Sequence, residues 1–338
     1  MPGSFAGRAA VAVSIAIALA IAAIVVWRAA DIFLLVFAAV LLAVFLRSLS
    51  GFLRDHTKFT DGWALFTVIL GLGGALALAV RMTAPSIAKQ TAVLADALPD
   101  ALENLRRYPG VDALLPGVEQ LAPLAPRLFT STLGAGASAL VILAVGLYLA
   151  AAPAKYKAGV VALFPKSRRH RVAGILDAIG ETLRYWLMGK IVGMTFVGIA
   201  TTLGLWALGH PLAFSLGLLA GLADFIPNIG PLLAFVPAIL IALMDSPLQA
   251  LYVAILYAAV QTVESYILEP WLYQRNVDLP PALTISGQVF FSILLGFLGL
   301  LVATPLLAVA LAMVKQLYVE DVLEDQPAPS RDAPPKAA

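Results

Sequence analysis

The chain has 338 residues, of which 61% are apolar and only 12% are charged, and its net charge is +2. Soluble globular domains carry about twice that share of charged residues, so the composition excludes a water-soluble class and predicts an all-α polytopic membrane protein. The chain contains no cysteine, which excludes disulfides, thiolate nucleophiles and cysteine metal ligands.

The first apolar runs predict four membrane spans. The spans are residues 9–27, 32–46, 62–80 and 131–152, and a tight turn at 28–31 joins the first two. Spans one to three form an N-terminal unit at residues 1–80. Span one is longer than the apolar part of a usual signal peptide, and a second span follows it directly. We therefore interpret it as a retained helix and not as a cleaved leader.

Residues 81–130 are the only large hydrophilic insert, and six prolines divide it into short pieces. Four leucines in it fall at helical spacing with charged residues between them: Leu94, Leu98, Leu102 and Leu105. This pattern predicts a small amphipathic helical insert at the membrane surface. Nothing in its composition suggests catalysis.

A basic loop follows span four and completes a unit at residues 131–171. It contains six basic residues and no acid before Asp177: Lys155, Lys157, Lys166, Arg168, Arg169 and Arg171. Such a loop between spans is typical of the cytoplasmic side, and nucleic-acid binding is the weaker explanation. Counting spans from this loop places the N-terminus in the cytoplasm and the 81–130 insert outside.

Residues 172–315 predict a transport core made of two units, each a span followed by an interrupted apolar segment. In the first unit an amphipathic stretch at 172–190 leads into span 191–208 and the interrupted segment 212–244. The second unit has span 249–268 and the interrupted segment 282–314. The tail at 316–338 is rich in acids and prolines, which predicts a disordered cytoplasmic segment.

The interruption at 224–231 contains Pro227, Pro231 and Gly230, a combination that breaks a helix. The apolar halves on either side are twelve residues each, about 18 Å as a helix against roughly 30 Å of bilayer hydrocarbon. Freed backbone groups cannot face lipid, so the break must be enclosed by protein. This predicts a re-entrant helical hairpin, and one long kinked span is the alternative.

The second interrupted segment has its break at Gly296–Gly299 and a further proline at Pro305. If both segments are hairpins, the chain has about six full transmembrane helices plus two re-entrant hairpins, and both termini are cytoplasmic. The two span-hairpin units then have opposite orientations, an arrangement typical of alternating-access transporters.

Ionisable residues within apolar segments are costly and are therefore candidates for function. Glu264 is the first of them, because it shares one helix face with Tyr257, Gln261 and Ser265, and such a polar stripe should face a cavity. A structural role, tethering hairpin backbone, is the alternative. Asp224 is the second, as a proton acceptor, a cation ligand or simply the cap of the following helix.

The hairpin tips supply further amide and carbonyl groups for a small polar solute, from Pro227, Asn228 and Gly230 in the first hairpin and from Gly296 and Gly299 in the second. Two other charged residues are not predicted to take part in transport. Lys190, at the predicted start of a span, should extend to the membrane interface. Glu269 should belong to a solvated loop.

Enzyme functions find no support in the sequence. The three histidines are scattered, without partners at metal-ligand spacing, and Gly189-Lys190-Ile191 lacks the other residues of a phosphate-binding loop. We therefore expect no enzymatic activity, no cofactor and no metal site. Transport by this chain must be passive or driven by an ion gradient.

Several motifs together resemble the autoinducer-2 exporter family, most strongly over residues 180–315. They are Gly221-Leu222-Ala223-Asp224-Phe225-Ile226-Pro227-Asn228-Ile229-Gly230-Pro231, Val236-Pro237-Ala238, Gln261-Thr262-Val263-Glu264, Glu269-Pro270, Leu279-Pro280-Pro281, Gly296-Phe297-Leu298-Gly299 and Ala303-Thr304-Pro305. The chain departs from the family pattern at Lys190, where glutamine is common, at Phe290-Phe291, which replaces a glycine pair, and at the variable position Asn228.

The resemblance implies a bacterial inner-membrane transporter with two helical hairpins, often a homopentamer whose protomers work by an elevator-like movement. Members are linked to export of the furanone autoinducer-2 or to exchange of sodium or lithium for protons. The leading hypothesis is thus a secondary exporter of a small polar metabolite or signal such as autoinducer-2, with a proton or sodium as possible coupling ion. The alternatives are a sodium(lithium)/proton antiporter using Asp224 and Glu264, and a non-transporting membrane scaffold whose insert at 81–130 binds an envelope partner. The expected partners are the solute and the lipid bilayer, not nucleic acid.

Overall fold

The structure is a computed structural model that describes residues 5–82, 132–273 and 280–320, and the regular elements in these ranges are all helical. They are α1 (Phe5–His56), α2 (Asp61–Met82), α3 (Thr132–Ala151), α4 (Pro153–Ala162), α5 (Arg169–Ala207), α6 (Ala213–Ala223), α7 (Ile229–Asp245), α8 (Pro247–Val263), α9 (Glu269–Tyr273) and α10 (Pro281–Val314). A π-helical turn at Glu264–Leu268 joins α8 to α9, and a second one extends α10 over Lys315–Glu320.

Five helical segments in the described ranges have the length and apolar composition to cross a bilayer, although the last of them folds back at Gly296 as described below. They are Ile32–His56, Asp61–Met82, Lys166–Ala207, Pro247–Leu272 and Pro281–Tyr318. The pair α3–α4, bent by 91° just before Pro153, is a sixth if it is counted as one broken span. The predicted all-α polytopic membrane class is therefore confirmed.

Two boundaries differ from the sequence prediction. Residues 28–31 form no turn, because α1 runs through them as one helix of 52 residues. The segment Arg28-Ala29-Ala30-Asp31 has no glycine or proline to stop a helix. Similarly, the amphipathic stretch at 172–190 and the span at 191–208 are one helix, α5, of 39 residues.

Two predicted regions lie wholly or mostly outside the described residues. One is the insert at 81–130, on which the scaffold hypothesis depends. The other is the tail at 316–338, of which the structure describes only the start. There the chain is helical through Glu320.

The first hairpin consists of α6 and α7, joined at residues 224–228. Leu216 and Ala220 of α6 share a buried cluster with Ala234 and Ala238 of α7, so the two helices pack side by side. Gly230 permits their close approach at the tip, because a Cβ there would overlap the carbonyl oxygen of Ala223. The predicted break at 224–231 is confirmed, and one continuous kinked helix is excluded.

The second hairpin is α10, which bends at Gly296 with φ +64° and ψ −150°. Gln288 Nε2 lies 3.3 Å from Thr304 Oγ1, although a straight helix would separate residues 16 positions apart by about 24 Å. Likewise, a Cβ on Gly287 would overlap the side chain of Leu307. The two halves of α10 therefore fold back on each other.

Three apolar clusters organise the packing. One unites α5, α6, α7 and α8, and another unites α1, α2 and α3. The third lies between these groups, where Phe37 and Leu41 of α1 meet Leu187 of α5 and Val302 of α10. The protein thus has a core built on the first hairpin and an N-terminal helical group, with α1 at the contact between them.

Gly230→Ala is expected to lower the free energy of unfolding by about 3 kcal/mol, because the new methyl group meets rigid backbone at the hairpin tip. Thermal unfolding of the purified protein measures the effect. Gly174→Ala is the matched control, since a Cβ on that α5 glycine would meet no neighbouring atom within 4 Å and alanine favours a helix by roughly 1 kcal/mol. Equal stability of Gly230→Ala and the wild type would contradict this account of the tip.

His210, in the turn between α5 and α6, is expected to make stability depend on pH. It is only 4% exposed, and its Nδ1 accepts a hydrogen bond of 3.2 Å from the Leu212 amide. Burial lowers the pKa of His210 below its ordinary value of 6.5, against a smaller opposing influence of Asp245. Its contribution is therefore complete above pH 6.5 and is lost as the pH falls below that value, since the unfolded chain binds the proton first.

Melting temperatures between pH 7.5 and pH 5.5 test this expectation. His210→Asn retains an acceptor near the Leu212 amide but cannot titrate, so its melting temperature should fall less on acidification than that of the wild type. His170→Asn, at an exposed position of α5, should behave as the wild type does. An identical acid response of all three proteins would exclude His210 as the titrating group.

Candidate functional site

A polar cavity of about 450 Å³ lies where α5, the two hairpins and the α8–α9 segment meet. Its lining residues are Trp186, Lys190, Asp224, Pro227, Asn228, Gln261, Glu264, Ser265, Glu269, Pro270, Pro281, Thr284 and Thr304. The structure thus brings five of the predicted site residues together: Asp224, Pro227, Asn228, Gln261 and Glu264.

The centre of the cavity wall is a buried ionic triad of Lys190, Asp224 and Glu264. Lys190 Nζ lies 2.9 Å from Asp224 Oδ2 and 3.6 Å from Glu264 Oε1, and each of the three side chains is at most 4% exposed. The expectation that Lys190 extends to the membrane interface is therefore wrong. It sits in the middle of α5, and the two carboxylates hold its ammonium inside the protein.

Both carboxylates approach the backbone of α5 closely. A Cβ built on Gly193 would lie 3.3 Å from Glu264 Oε1 and 3.7 Å from Asp224 Oδ2. The absence of a side chain at Gly193 therefore leaves room for acids from two different elements to converge beside Lys190.

Asp224 lies at the C-terminal end of α6, and Asn228, not Asp224, is the residue that precedes α7. The capping role considered for Asp224 is therefore wrong. Its Oδ2 is buried and accepts no hydrogen bond in the described part of the chain beyond its ion pair with Lys190. Its charge therefore depends on that lysine for compensation.

Glu264 opens the π-helical turn between α8 and α9, a local irregularity that frequently marks functional sites. Its Oε2 accepts a hydrogen bond of 2.9 Å from Gln261 Nε2, which also lies 3.4 Å from Ser265 Oγ. Glu264 is 1% exposed, so it faces the protein interior as predicted. Tyr257 belongs to a different contact, since its hydroxyl donates to the Ala234 carbonyl of the first hairpin at 3.4 Å.

Glu269 is the first residue of α9 and lines the cavity in a partly buried position. The expectation of a solvated loop at Glu269 is wrong, because the helix that starts at Pro247 continues through the π-helical turn to this residue. The cavity therefore contains three carboxylates, from Asp224, Glu264 and Glu269, and one cationic side chain, Lys190.

The tip of the first hairpin is held by Gln288, a residue that the sequence analysis missed. Gln288 is 1% exposed, and its Nε2 donates to the carbonyl oxygen of Pro227 at 2.9 Å and contacts Thr304. The second hairpin thus adds a second hydrogen bond to this carbonyl at the tip, which also accepts one of 2.8 Å from the Ile229 amide. An amide in an apolar helix is the signal that could have identified it.

Asn228 has φ +66° and is the single residue other than glycine with positive φ in the described ranges. Positive φ is unfavourable for residues with a Cβ, although asparagine tolerates it better than most. This conformation occurs at the cavity wall, where Asn228 is a lining residue.

The three predicted glycines do not line the cavity. Gly230 packs against the carbonyl of Ala223, and Gly296 forms the bend of the second hairpin. Gly299 lies so close to Phe291 that a Cβ would overlap the carbonyl oxygen of that residue. These glycines therefore lie apart from the other predicted site residues, and in the structure they allow the hairpins to fold.

The family model described as AI-2E family transporter matches residues 15–319. The chain belongs to the AI-2E transporter family. This confirms the resemblance noted in the sequence and makes the protein a member of a transporter family with a multi-pass membrane fold. The cavity between its two hairpins is accordingly the candidate transport site.

Named relatives of this AI-2E transporter match only part of its length. The AI-2 transport protein TqsA of Escherichia coli is 32% identical over 150 residues, 43% of this chain and 42% of TqsA. A Bacillus subtilis protein named "Putative transport protein YrrI" is 30% identical over 152 residues, 45% of this chain and 43% of YrrI. A transport protein of Borreliella burgdorferi with the same designation is 27% identical over 195 residues, 57% of this chain and 54% of that protein. The chain thus spans about half the length of the curated relatives it matches.

Proposed function

We propose that this AI-2E transporter is a secondary exporter of a small polar metabolite or signal such as autoinducer-2. The observation that supports it most is the polar cavity lined by α5, the two hairpins and the α8–α9 segment, with a buried ionic triad in its wall. Polar and charged groups inside membrane segments are costly unless they serve a pathway or site. The similarity to the AI-2 transport protein TqsA supports autoinducer-2 as the solute to test first.

The chemistry of the cavity suits a hydroxylated solute. Gln261, Asn228, Ser265 and Thr284 supply uncharged donors and acceptors, and Trp186 offers an apolar surface for a ring. A volume of about 450 Å³ is at the small end of ligand pockets, which fits a compact metabolite better than a lipid or peptide.

An elevator-like movement is the mechanism that fits this packing. The site lies on elements that share one buried cluster, α5 to α8, with the second hairpin joined to them through Gln288 and Pro227. The N-terminal helices share a separate cluster, and α1 meets α5 and α10 through apolar side chains. The core can therefore move as a unit against the N-terminal helices without separating ion pairs of the site.

The same proposal includes the topology and the assembly. The basic segment at 155–171 is largely exposed and supports a cytoplasmic C-terminus in the bacterial inner membrane, by the distribution of positive charge. Because α1 is one continuous helix, a cytoplasmic N-terminus does not follow from counting spans back from this segment. The proposal also includes a homo-oligomer, which is a pentamer by resemblance to the family, and a proton as the coupling ion.

Flux into proteoliposomes tests the proposal. Labelled autoinducer-2 should cross vesicles that contain the protein faster than protein-free vesicles, and an imposed proton gradient should change the rate. Absence of flux under gradients of either sign would reject autoinducer-2 as the solute.

A sodium(lithium)/proton antiporter using Asp224 and Glu264 is the second candidate. It is favoured by these two buried carboxylates in the cavity wall, and it requires that Na⁺ or Li⁺ displace the Lys190 ammonium from them, which the wild-type salt response described below also tests. The same vesicles decide between the candidates, since an antiporter predicts pH-dependent flux of sodium or lithium without any organic solute.

A further inference from the structure

We propose that the Lys190 ammonium is a tethered cation in the place of a coupling metal ion, so that this transporter operates without Na⁺ or Li⁺ and becomes responsive to them when Lys190 is removed. The inference rests on the proposed function only in taking the cavity as the transport site. Its test needs no knowledge of the solute.

The position of Lys190 Nζ is the position that a hard monovalent cation would take. Two carboxylates from different elements, the tip of the first hairpin and the end of α8, direct oxygens at it from 2.9 Å and 3.6 Å. Hard cations take oxygen ligands, among them carboxylates. The ammonium occupies this position as part of the chain, so it cannot dissociate or be lost to the other side of the membrane.

The charges around the site require a cation at this place. Asp224 Oδ2 accepts no hydrogen bond in the described ranges, and only Lys190 compensates it. Glu264 has Gln261 on its other oxygen, but that amide carries no charge. Removing one member of a buried ion pair leaves the other uncompensated, which is strongly unfavourable.

The remaining groups that face the triad make the site more acidic. Glu269 reaches the same cavity from α9, whereas the second hairpin contributes uncharged residues to the lining, such as Thr284 and Thr304. Lys190 is the sole cationic residue among the lining residues. Without it, the lining keeps the three carboxylates and the hydroxyl oxygens of Thr284 and Thr304, which together attract a small cation.

Space for that cation exists once the lysine side chain is gone. Lys190→Ala removes most of the alkyl chain and the ammonium from a buried position, and Gly193 beside it adds no side chain to the gap. Lys190→Gln fills more of the volume and adds an oxygen ligand. Both variants therefore convert an internal ion pair into a vacant cation site.

Thermal unfolding of the purified full-length protein at pH 8 tests the inference, with choline chloride replaced by NaCl, LiCl or KCl at constant ionic strength. The melting temperature of the wild type should change by less than about 1 °C. That of Lys190→Ala and of Lys190→Gln should rise by about 3 °C or more in NaCl or LiCl, because a ligand that binds the folded state stabilises it. Lys157→Gln, which removes an exposed lysine paired with Asp177, should behave as the wild type.

Stabilisation of the wild type by Na⁺ or Li⁺ would overturn the inference, as would folded Lys190 variants that do not respond to either ion. If the Lys190 variants fold only in NaCl or LiCl, this rescue by the ion supports the inference. If they fold in none of the salts, the response of the wild-type melting temperature to NaCl and LiCl decides whether the inference stands. A failure of autoinducer-2 flux together with the expected salt responses would reject the proposed solute and keep the tethered cation.

Discussion

Glu264→Gln is expected to reduce solute flux in proteoliposomes by about 100-fold while the protein still assembles and unfolds near the wild-type temperature. The amide has nearly the shape of the carboxylate but lacks its charge, so its contact with Lys190 Nζ loses the ionic component. A hydrogen bond to a charged group contributes roughly 1.5–3 kcal/mol, enough for a change of this size if it is needed at the rate-limiting step. The fold survives because Asp224 still pairs with Lys190.

Glu181→Gln is the matched control for this variant. It makes the same chemical change on the same core of helices, but at an exposed position of α5. Its flux should equal that of the wild type. Unimpaired flux in both Glu264→Gln and Glu264→Ala would remove Glu264 from the mechanism and leave it a structural role.

Lys190→Ala in choline buffer is expected to lower the free energy of unfolding by about 3–5 kcal/mol. The substitution leaves two carboxylates that are each at most 2% exposed without their cation, and the cost of an uncompensated buried charge is of this order. Chemical unfolding in detergent, followed by tryptophan fluorescence, measures the difference. Much of the loss should be recovered in Lys190→Ala combined with Asp224→Asn, which removes one of the stranded charges.

Lys157→Ala shows what a solvent-exposed lysine contributes in the same protein. Its pair with Asp177 has side chains 37% and 69% exposed, so its removal should cost no more than about 1 kcal/mol. If Lys190→Ala were as mild as Lys157→Ala, the triad could not be a compensated buried site, and the tethered-cation inference would lose its physical basis.

The candidate site was predictable where a residue is unusual in its own segment. Glu264 interrupts an apolar helix, and the proline and glycine residues at 224–231 break one, so each signal is local. The predicted environments of Lys190 and Glu269 were wrong because the surroundings of both residues depend on how far a helix continues. The sequence analysis ended helices beside both residues, whereas the structure continues helix through them.

Gln288 shows the other limit of sequence reasoning. Its role depends on the carbonyl of Pro227, 61 residues away, and on the bend at Gly296 that turns α10 back. No pattern within a window of one helix encodes such a contact. The same holds for Gly299, whose close approach to Phe291 exists only after that bend.

Composition and local pattern alone determined that this protein is helical, crosses a membrane and has two interrupted segments, because each property follows from the solvation of a short stretch of chain in lipid. The tertiary structure decided which charges meet. Lys190, Asp224 and Glu264 come from three separate elements, and whether a buried charge is compensated depends on distances of a few ångströms between them. That geometry, and with it the inference that the protein carries its own cation, exists only in the folded chain.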